Sequence, residues 1–543
     1  MAEANAPACR LTEITAGYFI AEAALPELGA KASDDDSPSI GQVGSYVTVG
    51  AGSGKVLCQV TATRMASETS TDQVSITLLP IGEISRHNVF SRGVGQYPLL
   101  GSEVTLASVE ALANVFDASG QDNLNFGRLS QYTDLNMFAN PNLLFSRHIA
   151  ILGQSGVGKS WAVTSLIQRT LANLPKAHMV LLDLHGEYVW RGPDGKMQSA
   201  FPADTVRYID ARNLEIPYWL LTYRELVDLL VDANDPNASL HISYLQETLL
   251  RLRRKANEDL GINRLSVDSP VYFSLDELYE SCREMNEQQF DFGRRNGPLF
   301  GVFNDFLLRF QSMLNDSRYD FLLKPKVRTQ SRDLEGLMRD FIGLGEPKRQ
   351  VTVIDLSAVP NDVRPTATAQ IARLTFEFNY WNPARREFPL LLVCEEAHQY
   401  IPSESTSARQ FGSSREMERI AKEGRKYGVC LCVVTQRPTE LSETVLSQCG
   451  TFICLRTTNP KDQDYIRRLM PQGEQGLADT LATLRRGEAL GVGDAITLPA
   501  RFRIYPPNPP PARSDVPIAE AWRNGPDDLD VGDIVQRWWQ QRR

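Results

Sequence analysis

The sequence predicts an α/β fold with a mainly parallel sheet, a helical insertion and a small N-terminal β-barrel. Short apolar runs alternate with segments of helical spacing from about residue 148 onward, as expected for strands that helices bury on both faces. One of these strands leads through a glycine-rich turn directly into a helix. Residues about 10–105 instead carry short β-type runs broken by Gly, Ser and Asp, which is typical of a small barrel.

The N-terminal region, residues 1–105, contains three clear β-type runs, Tyr46–Val49, Val56–Ala62 and Val74–Leu79. Between the first two lies the glycine cluster 50–55, which resembles a phosphate-binding turn. It is one residue too short, and Val56 stands where a metal-binding hydroxyl is required. The alternating flanks therefore favour a β-turn within a compact all-β domain.

A complete G-x-x-x-x-G-K-S phosphate loop follows the strand at 148–152. Backbone N–H groups of such a turn, together with the positive end of the following helix, surround a polyphosphate. Lys159 would reach the β- and γ-phosphates, and the Ser160 hydroxyl would bind Mg²⁺. The pattern predicts binding and hydrolysis of a nucleoside triphosphate. The candidate nucleotide-binding residues here are Gly153, Gln154, Ser155, Gly156, Val157, Gly158, Lys159, Ser160 and Trp161.

The next buried strand, His178–Asp183, ends in a polar turn that contains His185 and Glu187. Ligands of open α/β sheets bind at this carboxyl edge of the strands. We expect residues 106–147 to form a connecting region, so that 106–217 is the first part of the catalytic core.

Residues 218–345 are mostly of helical periodicity and predict an insertion in the core. The segments 220–230 and 244–255 place apolar residues at intervals of three and four. The basic cluster Arg251, Arg253, Arg254 and Lys255 could contact a phosphate backbone, but a solvated helix face is the simpler interpretation.

Strands resume in the second part of the core, residues 346–505, with apolar runs at 351–356, 390–394, 429–434 and 451–455. Their alternation with helices implies right-handed crossovers and parallel pairing. A last β pair, Glu488–Val492 and Ala500–Tyr505, is expected to close one edge. Residues 506–543 form a Pro-rich linker and a tail whose Trp538 and Trp539 favour docking on this body or on a neighbouring subunit.

Two acidic residues, Glu395 and Glu396, directly follow the apolar run at 390–394. On the strand next to the phosphate loop, one carboxylate would lie near Mg²⁺ and the other near the attacking water. We assign Glu395 with Ser160 to the metal, and Glu396 to the water as base or orienting group. Acidic pairs are common at strand ends and alone do not indicate a catalytic site. Because this sequence also contains a phosphate loop, the pair is its expected partner.

Two further candidates are Gln436 and Arg425. Gln436 follows Thr435 at a strand end and is the preferred sensor of the γ-phosphate, although a capping role for Thr435 is an alternative. Arg425 lies in a basic helix end that could bring positive charge to a neighbouring subunit's transition state. A solvated helix with i, i+4 pairs explains that segment equally well.

Composition is that of an ordinary globular protein with a net charge of −9. This argues against a basic nucleic-acid-coating protein but not against a ring with a basic inner channel. The sequence has no apolar stretch of membrane-spanning length and no signal peptide, so we expect a cytoplasmic protein without a membrane partner. Eight cysteines without C-x-x-C pairs and six scattered histidines do not favour a structural zinc site.

Taken in order, these motifs resemble the HerA group of HerA/FtsK-type ATPases over about 106–505, and the N-terminal region is similar to that family's small barrel. The resemblance implies a RecA-like core, a homohexameric ring around double-stranded DNA, and translocation driven by ATP with Mg²⁺. It matches Arg425 to a finger acting across subunits, places His185 and Glu187 near the nucleotide, and implies a bracing C-terminal tail. Glu395 departs from the Asp that many phosphate-loop ATPases carry. The motifs are the phosphate loop, Asp183–Tyr188, Glu395–His398, Glu423–Gly428, Thr435–Pro438 and Leu484–Ala489.

Members of this family usually work with a second protein, so the resemblance implies a separate effector. Candidates are a NurA-type nuclease, a sirtuin-like NAD-consuming enzyme or another defence nuclease. The effector must be a separate protein because this sequence has no recognisable nuclease or NAD-hydrolysing site of its own.

Two alternative functions stay open. One is an FtsK-like or conjugative DNA pump, against which stand the missing membrane segment and winged-helix tail. The other is a scaffold that activates a partner, with hydrolysis secondary.

Overall fold

The computed structural model describes residues 9–25, 39–67, 70–117, 123–192, 194–210, 213–290, 295–361, 363–403, 408–470, 474–512, 518–526 and 528–539. Its two large sheets are joined by direct contacts. The Tyr46 hydroxyl of the N-terminal sheet donates to the carbonyl of Pro499 at 2.8 Å. Arg92 pairs with Glu474 of the core at 2.7 Å. The first sheet is therefore anchored on the second.

The N-terminal sheet is antiparallel, in the order β1-β2-β5-β4-β3-β7, with β6 paired to β5. Bulges in the long β4–β5 pair bend the sheet. Among the described residues, β1 and β7 do not pair as strands, and β1 is joined to the residues just before β7 by a bridge between Arg10 and Glu103 and by backbone hydrogen bonds of Leu11 with Gly101 and Ser102. The sheet is therefore curled, and the predicted closed barrel is not confirmed. The strands are β1 (Cys9–Ile14), β2 (Phe19–Ala24), β3 (Tyr46–Ala51), β4 (Gly54–Ser67), β5 (Ser70–Ile84), β6 (Phe90–Arg92) and β7 (Val104–Leu106).

The predicted β-turn at 50–55 is confirmed. Strands β3 and β4 pair as a hairpin in which Ala51 lies opposite Gly54. Gly52 in the turn has a φ of +54°, a conformation that glycine adopts at little cost. This glycine cluster is therefore part of the sheet and not a second phosphate loop.

The second sheet has eleven strands in the order β14-β17-β11-β18-β19-β10-β20-β21-β22-β8-β9. From β14 to β20 the pairing is parallel, and from β20 to β9 it is antiparallel, so the sheet is mixed. Its strands are β8 (Leu124–Leu129), β9 (Asn136–Ala139), β10 (His148–Leu152), β11 (His178–Asp183), β14 (Val206–Ile209), β17 (Val351–Asp355), β18 (Leu390–Cys394), β19 (Val429–Thr435), β20 (Cys449–Leu455), β21 (Glu488–Gly493) and β22 (Ala500–Ile504).

The antiparallel edge differs from the prediction. The pair β21–β22 forms as predicted, but it does not close the sheet, because β8 and β9 continue beyond β22. These two strands come from the segment expected to be a connection. Two small hairpins lie outside both sheets, one formed by β12 (Val189–Arg191) with β13 (Met197–Ser199) and one by β15 (Gln289–Phe290) with β16 (Arg295–Asn296).

Helices cover both faces of the second sheet, and those of 223–341 share one apolar core with it. The described helices are Val109–Asp117, Pro141–Ser146, Lys159–Asn173, Tyr223–Leu230, Ala238–Ala256, Leu275–Glu287, Asn304–Asn315, Asp320–Leu323, Asp333–Phe341, Arg364–Trp381, Ala408–Tyr427, Glu443–Ser447, Pro460–Leu469, Ile518–Asn524 and Val531–Trp539. Within the part of the chain that the structure describes, no helix could span a membrane.

The basic cluster on helix Ala238–Ala256 is only partly a solvated face. Arg253 is fully buried, and its guanidinium donates to the carbonyl oxygens of Trp219 at 3.3 Å and Leu221 at 3.1 Å. Burial lowers the pKa of Arg253 to about 10. The solvated interpretation is wrong for this residue because an arginine can satisfy several backbone carbonyls at once inside a core.

The chain after β22 returns across the helix that follows the phosphate loop. The Gln168 side chain donates to the carbonyl of Pro509 at 2.8 Å and accepts from the N–H of Asn508 at 2.9 Å. Further on, the Ala512 N–H donates to the carbonyl of Glu187 at 2.8 Å. The segment 505–512 is thus fixed beside the carboxyl edge of the parallel strands.

Candidate active site

The phosphate loop leaves β10, which lies between β19 and β20. Two of its glycines are required by the geometry. A Cβ atom at Gly153 would lie 2.8 Å from the Cβ of Leu455, and Gly158 has a φ of +109°. Helix Lys159–Asn173 begins directly after Gly158 without a side-chain cap on its first N–H groups. Those donors, and the positive end of the helix, are available to an anion.

Lys159 is buried at the mouth of this loop, with 9% of its side chain exposed. Its Nζ donates to the carbonyl of Gln154 at 3.3 Å and lies 3.8 Å from Oε1 of Glu396. Burial lowers the pKa of Lys159, and the charges of Glu396, Glu395 and Glu187 act in the opposite direction. The long ion-pair distance leaves the ammonium group free to bind a phosphate.

The acidic pair lies at the end of β18, where Glu395 is 3% and Glu396 is 7% exposed. The prediction that β18 is the strand next to the phosphate loop is wrong, because β19 lies between β18 and β10. The structure nevertheless brings the pair to the loop. The Ser160 hydroxyl lies 3.5 Å from Oε1 of Glu395, and Lys159 approaches Glu396 as described.

Two tyrosines fix Glu395. The Tyr188 hydroxyl donates to Oε1 of Glu395 at 3.0 Å, and the Tyr400 hydroxyl donates to its backbone carbonyl at 2.9 Å. The other carboxylate oxygen, Oε2, is buried without a hydrogen-bond partner. Burial and the nearby charges of Asp183 and Glu187 raise the pKa of Glu395 well above its ordinary range. A divalent cation at this position would satisfy Oε2 and offset the accumulated negative charge.

The residues present fit a magnesium ion that takes most of its ligands from water and phosphate. Ser160 and Glu395 supply two oxygen ligands, and the described residues contain no cluster of three or more His, Cys, Asp or Glu that could hold a metal. Magnesium characteristically takes one or two protein ligands and fills the rest of its octahedron with phosphate oxygens and water. The two oxygens are therefore sufficient for a metal that arrives with a nucleotide.

Glu396 has a φ of +43°, an uncommon conformation for a residue with a side chain and one that clusters at functional sites. Its Oε2 lies 3.4 Å from Nδ1 of His398. The same Nδ1 lies 3.1 Å from the hydroxyl of Thr435 at the end of β19. A histidine thus lies between the second acid and the central strand end.

The loop after β11 is shaped by Asp183, to which the sequence analysis assigned no role. Its carboxylate accepts backbone N–H groups of four successive residues, 185–188, at 2.8 to 3.2 Å. This arrangement directs Tyr188 to Glu395. Glu187 is buried and His185 is exposed. An Asp at a strand end followed closely by Gly186 is the signal for such a turn.

The remaining candidates lie at different places. Gln436 is half-buried at the carboxyl end of β19, and Trp161 is exposed on the first turn of the phosphate-loop helix. Arg425 is exposed at the end of helix Ala408–Tyr427, just before β19 begins at Val429. The seven residues of β19 span about 20 Å. Arg425 therefore lies at the amino edge of the sheet, away from the phosphate loop of its own chain.

Comparison with known proteins agrees with this geometry. A family model described as the central domain of helicase HerA matches residues 124–375. The DNA double-strand break repair helicase HerA of Pyrococcus furiosus is 29% identical over 465 residues, which cover 80% of this chain and 78% of that protein. The chain is a P-loop ATPase similar to HerA. A probable HerA helicase of Methanocaldococcus jannaschii is 28% identical to this HerA-like chain over 75% of it and 81% of that protein.

Solved structures similar to this HerA-like ATPase include VirB4 of Thermoanaerobacter pseudethanolicus, with a TM-score of 0.45 and 15% identity over 70% of this chain and 96% of that one. The plasmid coupling protein TrwB in complex with ADP and Mg²⁺ has a TM-score of 0.41 and 15% identity over 72% of this chain and 92% of that one. The assignment rests on the sequence relatives and on the arrangement of the site.

Proposed function

We propose that this HerA-like ATPase is a translocase on double-stranded DNA, driven by hydrolysis of ATP with Mg²⁺. The observation that carries the proposal is the convergence of Lys159 and Ser160 with Glu395 and Glu396 at one edge of the sheet. The DNA substrate is supported by the relatives, which are named as helicases of DNA double-strand break repair. A nucleotide motor is the function that combines both.

In this proposal each residue of the site has a distinct role. The loop 153–158 cradles the phosphates, and Lys159 binds the β- and γ-phosphates. Ser160 and Glu395 hold Mg²⁺, which neutralises phosphate charge when bound. Glu396 orients the attacking water and accepts its proton. Gln436 contacts the γ-phosphate, while Trp161, His185 and Glu187 border the nucleotide.

The proposal includes a homohexameric ring that encloses the DNA. It is supported by the position of Arg425, which can act on a nucleotide only in a second copy of the chain. A cationic finger of this kind stabilises the charge of the phosphoryl-transfer transition state. The ring would work in the cytoplasm as the motor or platform for a separate effector such as a NurA-type nuclease, a sirtuin-like NADase or another defence nuclease.

The domain division expected from the sequence belongs to the same proposal. It assigns 1–105 to an N-terminal β domain, 106–217 and 346–505 to the two parts of the core, 218–345 to the helical insertion and 506–543 to the linker and bracing tail. The exposed side chains of Trp522 and Trp539 on the last helices support a tail that is covered by a neighbouring protomer.

Mass photometry and ATP turnover, each with and without duplex DNA, test the proposal. We expect six-subunit particles with ATP and DNA, and a turnover rate that duplex DNA increases. The Lys159→Ala variant serves as the control and should lose turnover. A parent protein that stays monomeric and hydrolyses ATP at the same rate with or without DNA would contradict the translocase.

A further inference from the structure

His398 bridges two parts of the site that the proposed mechanism uses separately. Its Nδ1 lies 3.4 Å from Oε2 of Glu396 and 3.1 Å from Oγ1 of Thr435. The imidazole is largely buried, with 10% of its side chain exposed. Glu396 lies at the end of β18 and Thr435 at the end of β19, so the ring connects two neighbouring strands.

We propose that His398 is a positioning residue that orients the carboxylate of Glu396 toward the attacking water and ties that orientation to the end of β19. This inference rests on the proposed ATPase mechanism and adds a residue that the mechanism did not include. His398 itself would not touch the nucleotide. It would act through Glu396 alone.

The position of the proton on the ring follows from the groups around it. Burial lowers the pKa of His398, so the ring is neutral and has one proton to place. Oε2 of Glu396 is buried without a hydrogen-bond partner, and its 3.4 Å separation from Nδ1 is an electrostatic contact. A proton on Nδ1 would face that oxygen favourably, whereas a proton on Nε2 would leave a lone pair facing a carboxylate. The contact therefore requires a donor at the Nδ1 position.

The backbone of Glu396 is itself in an uncommon conformation. With a φ of +43°, the residue turns the chain sharply between β18 and the short helix 397–399. On the other side, the Thr435 hydroxyl accepts the N–H of Arg437 at 3.0 Å. A shift of the β19 end, where Gln436 lies, would therefore change the environment of the Glu396 carboxylate through His398.

Two substitutions separate this role from simple packing. His398→Asn places an amide N–H where Nδ1 lies, whereas His398→Gln places its amide near the position of Nε2. We expect His398→Gln and His398→Ala to lower kcat for ATP by about tenfold to a hundredfold, the effect of one hydrogen bond to a charged group. Their KM for ATP should change by less than about twofold, because uniform nucleotide binding is retained. His398→Asn should recover most of kcat.

Controls make each outcome decisive. His87→Ala changes an exposed histidine of the N-terminal sheet and should match the parent. Binding of a fluorescent ADP analogue shows that each variant is folded. The positioning role would be overturned if His398→Gln kept the kcat of the parent, or if the Asn and Gln variants lost kcat equally. In both cases a loss of ATP turnover in Lys159→Ala would still support the proposed ATPase. A parent without ATP turnover would overturn the proposed function and this inference with it.

Discussion

The hydroxyl of Tyr188 is the most direct test of how Glu395 is held. Tyr188→Phe removes the donor that lies 3.0 Å from Oε1 of Glu395 and keeps the ring, which stacks on Phe201 with a centroid distance of 6.1 Å. After the substitution, the remaining contact to Oε1 is the Ser160 hydroxyl at 3.5 Å. The carboxylate would then be free to rotate away from the metal position.

The expected size of the effect follows from the charge of the acceptor. A hydrogen bond to an ionised group contributes about 1.5–3 kcal/mol, and loss of a residue that orients a metal ligand costs about tenfold to a hundredfold in metal affinity. We therefore expect the Mg²⁺ concentration for half-maximal ATP turnover to rise by about tenfold to a hundredfold. At saturating Mg²⁺ the turnover of Tyr188→Phe should approach that of the parent.

The assay is a Mg²⁺ titration of ATP turnover at fixed ATP, paired with thermal stabilisation by ADP with Mg²⁺. Tyr218→Phe is the matched control, because Tyr218 is also buried and its hydroxyl donates to the carbonyl of Phe273 at 2.7 Å, inside the helical insertion. Both variants should lose similar stability, and only Tyr188→Phe should shift the Mg²⁺ requirement. An unchanged Mg²⁺ titration in Tyr188→Phe would refute the assignment of Glu395 to the metal.

Three further predictions follow from other contacts. Glu396→Gln should lower ATP turnover by about 10²–10⁴-fold while the particle mass stays the same. If the protein is a motor, this variant should no longer activate its partner in an effector assay; if it is a scaffold, the variant should still activate the partner. Glu225→Ala should lower the free energy of unfolding by about 3–5 kcal/mol in urea titrations, because buried Arg373, which lies 3.3 Å from Glu225, would lose its counter-charge. As a control, substitution of exposed Glu335 should lower the free energy of unfolding by less than about 1 kcal/mol. Burial lowers the pKa of His148, so the native state binds fewer protons than the unfolded state. The free energy of unfolding should therefore fall as the pH drops below about 6.5. A free energy of unfolding that does not change between pH 5 and 8, or the same pH dependence in His148→Gln, would contradict this.

Much of the parallel sheet could be predicted, because each buried strand is a short apolar run whose type does not depend on its neighbours. The helical segment at 244–255 was found for a similar reason, since its periodicity is local. The order of the strands in the sheet could not be predicted in this way, because it is not encoded in any single strand. Nothing in the run at 429–434 indicates that β19 inserts between β18 and β10, because that order depends on the crossovers and not on the strand itself.

The antiparallel edge was missed for a related reason. β8 and β9 have six and four residues; polar and glycine positions interrupt β8, and β9 begins with Asn136. β8 is held by pairing with β22, for example Leu129 opposite Phe502, a contact between residues far apart in the chain, and β9 pairs in turn with β8. Pairing of this kind is invisible to a search for periodicity. Arg253 was misassigned because burial of an arginine depends on carbonyl groups supplied from elsewhere.

At the site, the sequence identified the groups that carry charge but not those that hold them. The phosphate loop and the pair Glu395–Glu396 are recognisable from spacing and residue type. Tyr188 and Tyr400 were not identified as partners of Glu395, because a tyrosine in a polar turn does not reveal which buried group its hydroxyl will reach. Their roles depend on where β11 and β18 end relative to each other, which pairing fixes at Leu182 opposite Cys394.

The position of β19 also changes how the site is understood. Because β19 separates the acidic pair from the phosphate loop, its carboxyl end lies between the metal side and the phosphate side of the site. The carbonyl of Thr435 accepts the N–H of Gly153 at 3.3 Å, and its hydroxyl contacts His398. One residue at this strand end therefore touches both the phosphate loop and the partner of Glu396. Movement that nucleotide binding causes in the loop can therefore reach the Glu396 carboxylate through β19 and His398, in addition to the direct contact of Lys159 with Glu396 at 3.8 Å.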